Sequence, residues 1–109
     1  MSAANPNFLL MLTTLPDRAS AERLAAALVE QKLAACASVH AECQSIYRWQ
    51  GAVESASEVP LQLKTTAARY PALEAAIRAA HPYDVPEIIA LPISHGLHAY
   101  LSWLTTETS

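Results

Sequence analysis

The sequence predicts one α+β domain. Apolar runs of strand length alternate with segments of helical periodicity. Their order is strand, helix, strand, strand, helix, strand, with a further helix at the end. The 109 residues are enough for one domain and too few for two. The domain is expected over residues 7–105, between a disordered N-terminus (1–6) and a frayed tail (106–109).

Residues 8–13, Phe-Leu-Leu-Met-Leu-Thr, form an apolar run short enough for a buried strand. Leu15, Pro16 and Asp17 break it, and Asp17 is placed to cap the next helix. Over residues 19–32, Ala21, Leu24, Ala25, Leu28 and Val29 recur at helical spacing, while Arg18, Glu22, Arg23, Glu30 and Lys32 face water. Residues 33–39 turn strand-like, and their small side chains imply helices packed close above. The polar run 40–44 reads as a kink or bulge. Residues 45–49 resume the strand, and Gln50-Gly51 reads as a tight turn. In the return strand, 52–66, Val59, Leu61, Leu63 and Thr65 point to the core, alternating with Glu58, Pro60, Gln62 and Lys64. Pro60 has no N–H for a ladder, so it belongs at an edge or a bulge. The two arms of this hairpin are long enough to reach beyond the sheet.

A second helix starts at Thr66 or Pro71, with Leu73, Ile77 and Ala80 on one stripe. Pro82 and Pro86 end it. Each proline pushes the residue before it toward extended geometry, so the helix stops near Ala80, and His81 and Val85 are non-helical. Residues 88–93 make a last strand. Leu97, Tyr100, Leu101 and Leu104 then follow an i, i+3, i+4, i+7 stripe, predicting a short C-terminal helix.

This order is the split β-α-β pattern of ferredoxin-like folds, with an added C-terminal helix. Two helices on one face leave the other sheet face apolar and uncovered, which predicts an interface. Composition agrees: 52% of residues are apolar and only 16% charged, against about 25% charged in typical domains. Net charge is −3 and the seven basic residues are scattered, which argues against nucleic acid. No apolar run approaches the roughly 18 residues of a membrane helix. The first six residues lack the basic start of a signal peptide. Cys36 and Cys43 would face opposite sides of one continuous strand, so a local disulfide is not expected and a reducing cytosol is the simplest compartment.

The densest chemistry lies in His81-Pro82-Tyr83-Asp84-Val85-Pro86-Glu87. In extended backbone His81, Tyr83 and Glu87 share one side, but that span covers roughly 20 Å. His81 and Glu87 therefore grip one small ligand only if the prolines bend the chain or another segment joins them. The alternative is a hydrogen-bonded cluster that pins a proline-rich turn; loop polar groups also carry function disproportionately. Tyr47 and Trp49 share a strand face, as packing for an interface or as a pocket wall. Glu58 and Lys64 are solvated strand charges or meet partners elsewhere. Cys36 and His40 would lie roughly 13 Å apart along a strand, too far for one metal ion, and a small buried thiol suits Cys36 better. His95 and His98 make a weak metal pair or a solvated turn. With two glycines and no GxSxG, the chain has neither a glycine-rich phosphate cradle nor a nucleophile elbow, and no pattern argues for an enzyme.

Five blocks, in order, resemble the CutA divalent-cation tolerance family: Lys32-Leu33-Ala34-Ala35-Cys36, Ser45-Ile46-Tyr47-Arg48-Trp49-Gln50-Gly51, Leu63-Lys64-Thr65-Thr66, His81 to Glu87, and Tyr100-Leu101-Ser102-Trp103. The resemblance runs from about residue 8 to residue 104. It implies a cytoplasmic homotrimer of ferredoxin-like subunits whose sheets pack inward, similar to PII-type signalling proteins. It also implies binding of copper or another divalent cation, through His81 and Glu87. Cys36, Tyr47, Trp49, Glu58, Lys64 and Tyr83 would line a cleft between subunits. Relatives assigned a copper site carry a cysteine at the place of Thr13 and a histidine at that of Ala80, so only His81 of that trio is present. A lone imidazole is a poor copper site, since such ligands come several at a time. The rival expectation is a signalling or scaffold trimer binding a small anion through Lys64.

Overall fold

The computed structural model describes residues 7–109. The expected disorder of residues 1–6 lies outside the described residues. The elements run β1 (Phe8–Leu15), α1 (Arg18–Glu30), β2 (Cys36–Val39), β3 (Cys43–Trp49), β4 (Ala52–Thr66), α2 (Tyr70–Ala80), β5 (Ile89–Pro92) and α3 (His98–Glu107). All strand pairs are antiparallel, in the order β2-β4-β1-β5, with β3 also on β4. No helix among the described residues is long and apolar enough to cross a membrane.

The long strand β4 organises the sheet. Its alternation holds: Val59, Leu61, Leu63 and Thr65 are buried. They pair across β1 with Leu15, Thr13, Met11 and Leu9, and together with Leu24, Leu28, Leu73 and Ile77 of the two helices they build the core. Asp17 caps α1 as expected, its Oδ1 accepting from Ser20 N–H at 2.7 Å. Val29, expected to be buried, is half exposed at the helix margin.

Beyond Glu58, β3 and β4 continue as a two-stranded arm that β1 does not accompany. Gln50 and Gly51, both at positive φ (50° and 83°), make its turn, the backbone a two-residue hairpin loop needs. Pro60 sits at a bulge. The β2 ladder runs in register to Val39↔Leu61, whereas β3 resumes at Cys43↔Glu58, so β2 and β3 carry one extra residue where they join. His40 N–H donates to the Pro60 carbonyl (2.9 Å). Pro60 has no N–H to return, and Arg18 Nη1 bonds the His40 carbonyl instead, at 3.3 Å.

The second sheet face is partly covered by α3, where Leu104 is fully buried. The polar tail is not frayed: Thr108 is buried, and its carbonyl accepts from Arg69 Nε at 2.6 Å. Elsewhere on the C-terminal apolar stripe Leu101 is half-buried and Leu97 is 76% exposed. Ile89 and Leu91 of β5, partners of Leu12 and Leu10, are also half exposed.

Candidate functional site

The helix α2 ends at Ala80, and His81 is extended (φ −81°, ψ 136°), as its following proline requires. The chain then bends rather than running straight. Tyr83 N–H donates to His81 Nδ1 (3.2 Å), and the two rings lie 4.7 Å apart. Because Nδ1 accepts, the ring proton sits on Nε2, which donates to the Thr14 carbonyl at 2.6 Å. Buried His81 thus ties the bend to β1 with both nitrogens.

Tyr83 in turn faces Glu58, whose Oε2 accepts from Thr14 Oγ1 at 3.1 Å. Burial pushes the Tyr83 phenol up to about 12; its hydrogen bond to Glu58 and the charges of Glu58, Tyr47 and Asp17 add to this. His81, Tyr83 and Glu58 are therefore one cluster around Thr14, with Tyr47 within electrostatic reach.

A second cluster lies on the face under α3. Cys36 and Lys64 are cross-strand partners, with Lys64 Nζ 3.9 Å from Cys36 Sγ. The Tyr100 hydroxyl is 3.6 Å from the same sulfur, and Lys64 Nζ sits 5.9 Å from the Tyr100 ring centroid. The hydrogen bond with Cys36, burial and the Cys36 charge raise the Tyr100 phenol, against the pull of Lys64. Trp103 stacks beside Tyr100, centroids 5.5 Å apart.

The eight residues singled out in the sequence are thus not gathered in one place within the subunit. Trp49 and Glu87 join neither cluster and are exposed. The expected pair His81 and Glu87 does not fit a cation as it stands, since both imidazole nitrogens are engaged. Among the described residues no three His, Cys, Asp or Glu side chains come together to hold a metal. Thr14 and Tyr100 were missed. Tyr100 was legible as part of an apolar helical stripe and of the Tyr100–Trp103 block, neither of which says what its hydroxyl meets; Thr14 gave no signal, because its carbonyl and hydroxyl find their partners only through the fold.

Comparison with known proteins matches residues 9–107 to the family model described as CutA1 divalent ion tolerance protein. The chain belongs to that family. It is 46% identical over 99 residues to the divalent-cation tolerance protein CutA of Thermus thermophilus, covering 91% of this chain and 96% of the relative. The Escherichia coli protein of the same name is 42% identical over 102 residues, covering 94% and 91%. The crystal structure of CutA1 from Shewanella sp. SIB1 superposes with a TM-score of 0.92 at 44% identity, covering 95% of this chain and 97% of that one. The CutA1 relatives share the mixed α+β subunit with its antiparallel sheet and three helices. The match over residues 9–107 spans both clusters and the hairpin arm.

Proposed function

We propose that this chain is a binding protein of the divalent-cation tolerance type, acting as a homotrimer. On this reading each subunit is ferredoxin-like, the sheets pack inward as in PII-type proteins, and clefts between copies take up copper or another divalent cation. The observation that carries the assembly is the apolar surface a single copy leaves open: Ile46 (73% exposed), Val53 (65%), Ile89 and Leu91, on a protein with few charges to keep it apart from itself. The cation half rests on family membership. Within one subunit His81 and Glu87 are too few donors and His81 is engaged, so a cation needs donors from more than one copy. His81 joins them by releasing the longer of its two bonds, that from Tyr83 N–H. Two free thiols favour a reducing cytosol.

Sedimentation at micromolar concentration tests the assembly, with three chains per particle expected and a stable monomer ending the proposal. Calorimetry with Cu²⁺ on wild type, His81→Ala and Glu87→Ala tests the site. Identical isotherms for the three would remove both residues as ligands.

A second reading is a scaffold trimer that binds a small anion. Lys64 favours it: among the described residues its half-buried ammonium has a thiol and a phenol for neighbours and no carboxylate within ion-pair distance. Thermal-shift screening of anionic metabolites on wild type and Lys64→Ala separates the two readings, because stabilisation by a bound anion would depend on Lys64.

A further inference from the structure

We infer that α3 is a releasable strap. It undocks and melts as a unit while the rest of the domain stays folded, and its release uncovers Lys64 and Cys36 on the second sheet face. The inference depends on neither the cation nor the anion reading.

The first support is how little α3 buries. Of its ten residues only Leu104 is buried and Leu101 half-buried; the rest are exposed. By contrast α1 buries Ala21, Leu24, Ala25 and Leu28, and α2 buries Leu73 and Ile77 within the core. Packing under the end of α3 is also incomplete. A cleft of about 360 Å³ separates Thr105, Thr108 and Ser109 from Phe8 and Thr66, whereas close-packed elements leave few voids larger than a water.

The second support is that the helix cannot hold itself. Ten residues are too few for a stable isolated helix in water. Thr105 and Thr106 are poor helix formers, and their hydroxyls bond back to the Leu101 and Ser102 carbonyls at 3.1 Å. Leu97, the N-cap, supplies no side-chain bond, and Glu107 stands in the last turn, at the negative end of the helix dipole. Once undocked, α3 therefore melts rather than swinging as a rod.

The third support is that the attachments are few and local. Arg69 Nε donates to the Thr108 carbonyl at 2.6 Å and latches the C-terminal end. Leu104 anchors the middle. Tyr100 lies over the β2–β4 pair, its hydroxyl 3.6 Å from Cys36 Sγ and its ring centroid 5.9 Å from Lys64 Nζ. At the other end, residues 93–97 form an irregular connection. There the Leu101 side chain closes on Gly96, where a Cβ would stand 2.9 Å from Leu101 Cδ2. The apolar positions that carry the assembly reading lie elsewhere. Ile89 and Leu91 sit on β5, two strands from Lys64, and Ile46 and Val53 sit in the arm. Release of α3 leaves those surfaces in place.

Amide hydrogen exchange on the intact, assembled protein tests the strap. The amides of residues 101–107 are expected to exchange about a hundredfold faster than those of Leu24 and Leu28, through an opening that low urea does not promote. Arg69→Met keeps most of the stem and removes the latch. It should quicken exchange at 101–107 about tenfold, the loss of one charge-assisted bond, and leave Leu24 and Leu28 unchanged. Gly96→Ala drives a methyl against Leu101 and should act in the same direction without touching the latch. Exchange at 101–107 no faster than at Leu24 and Leu28, or rising with urea in parallel with theirs, would mean that α3 opens only with the whole domain, and overturns the proposal. So does an unchanged rate at 101–107 in folded Arg69→Met; should that variant not fold, an unchanged rate in Gly96→Ala overturns it.

Discussion

His81 Nε2 donates to the carbonyl oxygen of Thr14 at 2.6 Å, across 67 residues of sequence. This bond fastens the segment after α2 to the end of β1, and the Tyr83 amide on the other ring nitrogen sets the bend that follows. The imidazole is first a structural clamp. His81→Ala strips both bonds and leaves a buried carbonyl and amide to find water, a loss of about 2–3 kcal/mol. Urea unfolding measures the loss, and hydrogen exchange at the Tyr83 amide should quicken in the variant. A change below about 0.5 kcal/mol, within the range of neutral surface substitutions, would show that the clamp carries no weight.

Tyr83 gives the protein an alkaline limit. Its phenol titrates at an ordinary value of 10.0 when unfolded and is pushed up to about 12 in the fold, by burial first and Glu58 second. Between those values the folded state holds a proton that the unfolded state has lost. Stability from this group is therefore complete below pH 10 and falls as pH rises toward 12. Two units correspond to about 2.7 kcal/mol, and screening at a partly exposed ring reduces this to about 1–2 kcal/mol. Tyr70 and Tyr100 are also raised, so the measurement is a difference. Wild type should lose more stability between pH 10 and 12 than Tyr83→Phe does, and parallel curves would sink the assignment.

Much of the frame was legible because it rests on local patterns. The alternation from Val59 to Thr65 gave the buried face of β4, the Asp17 cap began α1, and Pro82 fixed the end of α2. Pro60, with its missing N–H, left an edge or a bulge open, and the extra residue between β2 and β3 decides for the bulge. The clusters were less legible. Same-side reasoning placed Cys36 and Lys64 on their strands, but which residues face each other depends on register, and register follows from the length of the interrupted β2–β3 arm. Tyr100 reaches that pair from a helix more than thirty residues later, and helical periodicity says which side of a helix is apolar without saying where it lands. Leu97 and Ala80 show the converse. Both continue an apolar stripe, yet both are exposed, Ala80 as the last residue of α2 and Leu97 as the N-cap of α3.

Lys32 carries a strain that substitution can remove. It follows the Gln31 cap of α1 at φ 62°, with its N–H on the Val29 carbonyl and the Leu33 N–H on the Leu28 carbonyl. These bonds close the helix end through a left-handed residue, a place glycine usually takes. Lys32→Gly relieves the Cβ clash at some cost in chain entropy, and a net gain of up to about 1 kcal/mol is expected. The variant should unfold at a higher urea concentration with an unchanged slope; a lower midpoint would mean that the lysine stem packs against something more valuable than the strain.

Thr13 offers the opposite kind of defect. It lies in β1 opposite Leu61, 1% exposed, and among the described residues its Oγ1 has no hydrogen-bond partner. Its neighbour Thr65, on the same face of the sheet, donates to the Leu33 carbonyl at 2.7 Å and is satisfied. A buried hydroxyl without a partner costs about 1–3 kcal/mol, whereas a methyl of the same size in that place costs nothing in desolvation. Thr13→Val keeps the β-branched shape that the strand packs around and removes only the orphan oxygen. It should stabilise the protein by about 1 kcal/mol, while Thr65→Val, which strips a satisfied bond and leaves the Leu33 carbonyl bare, should destabilise it by a similar amount. Thermal unfolding of the two variants side by side makes the comparison. Equal shifts of the same sign would mean that strand propensity, not hydrogen bonding, decides both positions.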